Sequence, residues 1–514
     1  MNSNLVTRLE KTGMLLFIVA AFLTFFNVFF LPFGRINYHY GFLGCLLSML
    51  LFLFAYFFLQ RKLEVKDEKT ISRWGKSFCV CYLAVTFVMH LILGYWMEYT
   101  PLGDNLMLYQ GALALARNGA FEKGSDFILY FCRFSNQWGF LLYLSVFFRL
   151  FFALGGTNTF YALVIVESLL YLGAGISLFL LARRISGGRG VLLLGMMLVC
   201  CLPMLLAPCV LYTDTFSMPF VIWTLCTAER VLHAQNLKNR IKWAVICAIV
   251  AVLGGQIKMT VAITLIAACI LWLIRLRHFE GILCVVLCGT VMAGGSAAVH
   301  HFVLHRYLDE DIYRQENTPI IHWIMMSIPD GDNPYGGFSQ DYALTWKMMD
   351  EGASHKEVMD SIYSRMKDKI YSLRYPNRLL LALFRKNSAS FSDGTFGMTE
   401  MLDDKPIRRN ILSEFVLEDG KYYKSYMELT SGIWFGVLLV SLLRAFSEYR
   451  RGRTEKCLIY VTLLGVMLFL MIWEARGRYL FNYIPVFLLA AALPIGDTDI
   501  PGSMKSFFGS SNRV

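Results

Sequence analysis

The chain has 514 residues and 48 Lys+Arg against 37 Asp+Glu, a formal net charge of +11, yet only 17% of its residues are charged and 56% are hydrophobic. A mean hydropathy of +0.52 is too apolar for a water-soluble protein, and the basic residues flank apolar runs instead of interleaving with aromatics on a polar domain, which excludes nucleic acid as a partner. The reading is an all-α polytopic membrane protein whose 13 cysteines, an odd number lying mostly inside apolar runs, behave as small buried hydrophobes and form no disulfide framework.

Residues 13–33 are too long an apolar run for a cleaved signal core and read as a first span, with Arg8 and Lys11 before them. A second span lies at 40–59. The connection RKLEVKDEKTISRWGK carries about six Lys/Arg, which marks it as cytoplasmic. Residues 76–97 then run outward and deliver the loop 98–137 to the outer face. Residues 138–155 are apolar but short and carry Arg149. A full crossing there would turn Arg183, Arg184 and Arg189 outward, so the segment is expected to be re-entrant or juxtamembrane. Spans follow at 158–181, 190–209, 215–232, 243–257, 259–274 and 281–303. A long outer loop fills 304–430, and the last spans lie at 431–443, 457–473 and 479–495. This gives about 12 spans with both termini inside. The domain organisation is an N-terminal transmembrane domain (1–303) that contains the outer loop 98–137, an extracytoplasmic loop domain (304–430), C-terminal transmembrane helices (431–496) and a cytoplasmic tail (497–514).

The charge distribution supports this layout. Segments placed inside carry about 24 Lys/Arg against about 10 Asp/Glu, whereas the long outer loop carries about 16 against about 20. That loop is not low-complexity. Ser354 and Glu357 form a capping box for a helix to about Tyr371, Pro376 suits the first turn of a helix through Lys386, and Ser392-Asp393-Gly394 is turn chemistry. A mostly helical outer unit follows.

With this sidedness, polar residues at membrane ends converge on the outer face from widely separated segments: Asp104, Asn136 and Gln137, Tyr212 and Asp214, Lys258, and Glu474, Arg476 and Arg478. An acid at the membrane boundary is costly unless it is used. One carboxylate facing several cations, with an apolar approach, suits the joining of a lipid-borne anion to a polar acceptor. Asp104 is the candidate general base for an acceptor hydroxyl. Lys258, Arg476 and Arg478 are candidate donor phosphate ligands, the arginines offering a forked geometry. Tyr109, Asn136, Gln137, Tyr212, Asp214, His322, Trp323 and Glu474 are candidate substrate-binding residues. Outside the membrane there is no nucleotide pool, so the donor would be a polyprenyl-phosphate sugar, and one-step displacement would invert the anomeric centre. Each residue also has a plainer role: Asp104 and Asp214 as helix N-caps, the arginines as headgroup anchors, His322 as a packed loop histidine, and Glu167 with Arg149 as an intramembrane pair.

The segments PLGDNLMLYQGALALARNG, FSNQWGFLLYLSVFF, LYTDTFSMPF, GGQIKMT, HWIMMSIPDGDNPYGGFSQDY and EARGRYLFNYIPVFLL together resemble the GT-C glycosyltransferases. More narrowly, they are similar to the protein-O-mannosyltransferase-like group of bacterial integral membrane proteins typical of Gram-positive envelopes. The resemblance runs from about residue 99 to 493. It implies a plasma-membrane hexosyltransferase whose active site faces outside, which takes sugar from a polyprenyl-phosphate donor to a cell-envelope glycan or polymer, with the first-loop acid, here Asp104, as catalytic base. Better-known members carry an Asp-Glu pair in that loop, whereas Asn105 follows Asp104 here, so a two-acid site is not expected. The chain also has two spans before that loop instead of one. Acids are too sparse to assign a metal site, no cofactor is assigned, and a divalent cation is left open. The other class considered is a transporter or flippase of lipid-linked saccharide, which would line a path near the bilayer midplane with polar groups. Here they crowd one face.

Overall fold

The computed structural model describes residues 3–31, 33, 40–402 and 407–493; the expected tail at 497–514 lies outside them. Among the described residues the regular elements are helices, without strands. Seven are long and apolar enough to cross a membrane: Asn4–Phe30, Phe42–Glu64, Glu68–Trp96, Thr159–Cys200, Leu237–Ile257, His278–Tyr307 and Tyr423–Arg450. An eighth candidate is the pair Pro203–Cys209 and Thr213–His233, bent by 117°. Met259–Arg275 and Cys457–Ile472 are apolar but shorter. At 1.5 Å per residue even a 21-residue helix reaches about 32 Å, enough for a hydrocarbon core of about 30 Å.

Thr159–Cys200 is continuous in hydrogen bonding but not in direction. Gly187 stands at φ 64°, ψ −159°, a conformation open to glycine and costly for residues with a side chain. The neighbours reveal a reversal. A Cβ on Gly94 would meet Val164, one on Gly175 would meet Leu83, one on Gly75 meets Val191 and one on Gly195 meets Phe78. The first arm therefore descends antiparallel to Glu68–Trp96 and the second climbs back beside it, with Glu68 accepting from the Gly188 N–H at 3.3 Å at the turn. The two separate apolar runs expected at 158–181 and 190–209 are the two arms of this hairpin.

The reversals sort the polar anchors to opposite ends of the bundle. At one end Arg275 pairs with Glu10 and donates to the Thr454 carbonyl at 2.5 Å, Arg240 pairs with Glu280, and Arg444 holds Glu448 at 2.5 Å with both side chains almost fully buried. The other end is covered by the segment after His278–Tyr307. Its helices Ile320–Met326, Asp341–Asp350 and His355–Ser372 share a small core of Met325, Met349, Val358 and Ile362. Lys369 bridges Asp330 and Asp341, each at 2.7 Å. The capping box of Ser354 and Glu357 is present, and the helix it opens runs to Ser372. Pro376 opens the next helix, Pro376–Phe391. This unit is fastened to the bundle where Asn27 donates to the Phe384 carbonyl (2.8 Å), Tyr40 to the Ser392 carbonyl (2.9 Å) and Ser327 to the Ile472 carbonyl (2.6 Å). The N-terminal helices thus hold Pro376–Phe391 in place.

Residues 138–155 form the helix Trp138–Ala153, whose 16 residues reach about 24 Å, short of a crossing. Gly139 lies so close to the Gln256 carbonyl that a Cβ would approach it to 2.3 Å. The expected Arg149–Glu167 pair is not made. Arg149 donates to the Leu115 carbonyl at 2.8 Å, which also accepts from the C-cap Gly119 N–H at 3.1 Å, while Glu167 is fully buried on another helix.

Candidate functional site

The loop that follows Glu68–Trp96 is tied down by Ile407, whose N–H donates to the Glu98 carbonyl at 2.8 Å. It turns through Gly103, at φ 53°, into the helix Gly103–Asn118. Leu102 is the N-cap and Asp104 lies in the first turn without capping it. The carboxylate is held instead by two phenols from distant segments: Tyr130 of Asp126–Arg133 donates to Oδ1 at 2.9 Å, and Tyr212 donates to Oδ2 at 3.1 Å. Each oxygen keeps a second lone pair, so the acid is fixed in direction yet able to accept a further hydrogen bond. Gln137, itself buried, donates to the Tyr212 hydroxyl at 3.3 Å.

Tyr212 caps the helix Thr213–His233 with an extended backbone, and Asp214 lies in that helix's first turn, where the helix dipole favours an anion. Asp214 does not cap; it pairs with Lys258, which sits at the break between Leu237–Ile257 and the 3-10 turn Met259–Val261. The Lys258 ammonium lies 4.4 Å from the centre of the Tyr479 ring, and the Tyr479 hydroxyl donates to Glu474 at 2.7 Å. The Arg478 guanidinium sits between the rings of Tyr212 and Tyr479, 5.2 Å from each. Tyr212 is therefore the hinge of the site: its hydroxyl reaches the acid and its ring faces the cation.

The two arginines differ. Arg476 is neutralised by Glu474 at 3.0 Å and by Glu400. Arg478 keeps donors in reserve: its Nε is buried without a partner, Nη1 meets the Met401 sulfur at 3.8 Å and Nη2 the Tyr479 hydroxyl at 3.5 Å, the outer limit of a hydrogen bond. Its position is set from below by the loop 392–397. Asp393 accepts from Thr395 N–H (2.8 Å), the Thr395 hydroxyl (2.6 Å) and Gly397 N–H (2.7 Å). Gly397, at φ 71°, presses on Arg478 so closely that a Cβ would meet its side chain at 2.8 Å.

An aromatic wall closes the other flank. Tyr130 packs on Phe134 with ring centres 4.7 Å apart, and Phe134 on Trp323 at 5.6 Å and Trp346 at 5.5 Å. Arg133 secures the covering unit through Glu316 at 2.7 Å and through Asp350.

Of the expected residues, Asp104, Gln137, Tyr212, Asp214, Lys258, Glu474, Arg476 and Arg478 form one connected group, and Trp323 joins it through Phe134. Three do not reach it. The Tyr109 hydroxyl bonds Thr159 at 2.5 Å and its ring packs on Phe148, since five positions along a helix from Asp104 turn it away. His322 is buried against the Thr345 hydroxyl at 3.1 Å, and burial pushes its pKa down to about 4, which keeps it neutral. Asn136 is exposed to solvent. Tyr130, Phe134, Glu400, Met401 and Tyr479 also belong to the group and are not among the residues expected from the sequence. Tyr479 adjoins Arg478 in EARGRY and was visible there, whereas nothing local marks Tyr130 or Glu400. Among the described residues no cluster of three or more His, Cys, Asp or Glu side chains is arranged to hold a metal ion.

A family described as conserved hypothetical integral membrane protein matches residues 111–498. No curated protein matches the chain. The crystal structure of ArnT from Cupriavidus metallidurans bound to undecaprenyl phosphate is similar over 81% of this chain and 78% of that one, at 16% identity and a TM-score of 0.34, a likeness too remote to transfer residues or activity.

Proposed function

The chain belongs to the family of conserved hypothetical integral membrane proteins, and on that footing we propose that it is an inverting glycosyltransferase of the GT-C type. Its donor is a polyprenyl-phosphate sugar, and its acceptor is a hydroxyl of a cell-envelope glycan or related polymer. It has about 12 spans in the plasma membrane, and the loops 98–137 and 304–430 lie outside with the site. One observation carries the reading: a carboxylate oriented by two phenols adjoins, through Tyr212, a guanidinium with unspent donors. In the reaction Asp104 takes the proton of the acceptor hydroxyl as its oxygen bonds to the anomeric carbon. The bond from that carbon to the phosphate oxygen breaks on the opposite face, and the polyprenyl phosphate leaves with its electron pair. Arg478 offers it a fork, and Lys258, spending one contact on Asp214, offers a second positive charge. Trp323, Phe134 and Tyr130 supply an apolar flank for a sugar.

The test is transfer of labelled sugar from synthetic polyprenyl-phosphate sugars by purified protein. Asp104→Asn keeps the shape and one hydrogen-bond acceptor but cannot take the proton, and turnover is expected to fall by about 10²–10⁴-fold. Undiminished turnover in the variant removes Asp104 as base, and no turnover by the wild type with any donor sinks the transferase reading. Cysteine labelling at positions 104 and 476 from outside tests the sidedness independently.

A further inference from the structure

The bundle end opposite Asp104 holds a polar cavity, of about 310 Å³, lined by Arg184, Arg230, His233, Gln235, Asn239 and Trp243. It forms where the first arm of the hairpin approaches its turn at Gly187 and where Thr213–His233 hands over to Leu237–Ile257. The Arg230 guanidinium lies 4.2 Å from the centre of the Trp243 ring, so one face is covered by indole while its edge donors stay free. Neither Arg184 nor Arg230 hydrogen-bonds a protein acceptor among the described residues. His233 turns Nδ1 toward the Glu229 carbonyl at 2.9 Å and its carboxylate at 3.4 Å, leaving Nε2 for the cavity. Glu229 is 5% exposed; it lies behind His233, also feels Arg184 and Arg275, and does not line the cavity. No acid lines it, so two guanidiniums, an imidazole and two amides converge on a space with Glu229, behind His233, as its counter-charge.

We propose that this cavity is a phosphate-binding site, separate from the transfer site, that holds the headgroup of an acidic phospholipid. Two guanidiniums offer more N–H donors than the two oxygens of a carboxylate can take, and a phosphate accepts on more sides. A tryptophan and an arginine stacked at the membrane end are placed for headgroup depth. The cavity lies within reach of one leaflet only, so the occupant comes from that leaflet or from the solution beside it.

The experiment uses the full-length protein in nanodiscs of phosphatidylcholine with one fifth phosphatidylglycerol, released for native mass spectrometry. Wild type is expected to retain one phosphatidylglycerol per chain, and Arg184→Gln/Arg230→Gln to lose that retention at least tenfold. Arg230→Lys, which keeps charge but not the fork, is expected to fall in between and guards against misfolding of the double variant. In a parallel arm, inorganic phosphate is added to protein in lipid-free detergent and thermal unfolding is followed. Phosphate stabilisation that the double variant lacks, with no retained lipid, upholds the phosphate site and assigns a soluble occupant. Equal lipid retention by wild type and variants, or neither retention nor stabilisation, overturns the proposal. Loss of sugar transfer in Asp104→Asn leaves this result untouched, because none of these residues belongs to the transfer site.

Discussion

Arg478→Lys separates donor binding from membrane anchoring, and the structure sets its size. Arg478 enters the site with Nε unpartnered, its two other nitrogens at weak contacts of 3.5 and 3.8 Å, and Tyr rings on two sides. A phosphate can accept two parallel N–H donors from it, whereas lysine presents a point charge. Losing one charge-assisted hydrogen bond costs about 1.5–3 kcal/mol, which is about tenfold to about 150-fold in affinity. Arg476 gives the contrasting case. Its guanidinium is already engaged by Glu474 and Glu400 and is 31% exposed, with Glu400 56% exposed, and exposed pairs contribute about 0–1 kcal/mol. Arg476→Lys is therefore expected to change donor affinity by less than about fivefold. The assay is retention of radiolabelled polyprenyl phosphate by purified protein across a concentration series, with thermal unfolding as a control for folding. Equal losses in the two variants, or a larger loss in Arg476→Lys, would refute the assignment of Arg478 as the phosphate fork.

Two further outcomes follow from the site and its support. Tyr212→Phe removes the hydroxyl that donates to Asp104 at 3.1 Å; one lost hydrogen bond of about 1 kcal/mol is expected to lower kcat about fivefold with donor KM unchanged, and a rise in KM alone would reassign Tyr212 to binding. Lys386 is 2% exposed and donates to the Ser327 carbonyl at 2.5 Å, and burial pushes its pKa down to about 7, opposed by Glu474. Unfolded, it keeps the ordinary lysine pKa of about 10.4, so between these values the unfolded chain binds more protons and native stability rises with pH. Below about 7 both states are charged and the burial penalty is complete. Lys386→Met should thus raise the thermal unfolding midpoint most at pH 6 and least at pH 10, and a gain that grows with pH contradicts the sign.

How much of this was legible in the sequence depended on range. Apolar runs, the basic connection at 61–76 and the capping box at Ser354 are local signals, and most of the expected spans coincide with helices, several extended by polar residues beyond the apolar stretch. The run expected at 479–495 instead opens as the 3-10 turn Gly477–Tyr483 and holds the eight-residue helix Ile484–Ala491 among the described residues. The residues gathered around Asp104 were also legible as a class, since acids, cations and amides at membrane ends are costly wherever they sit idle. The sequence could not rank them. Asp104 and Asp214 both read as helix caps; each lies instead in a first turn because a partner from a distant segment, Tyr130 and Tyr212 for one and Lys258 for the other, takes its carboxylate. Arg476 and Arg478 are two positions apart and equivalent by composition, yet Glu400 quenches one while the close approach of Gly397 sets the other between two rings. Local pattern thus determined which residues belong at the membrane boundary, whereas tertiary contact decided which of them remain unneutralised, because a charge's availability is fixed by its neighbours in space.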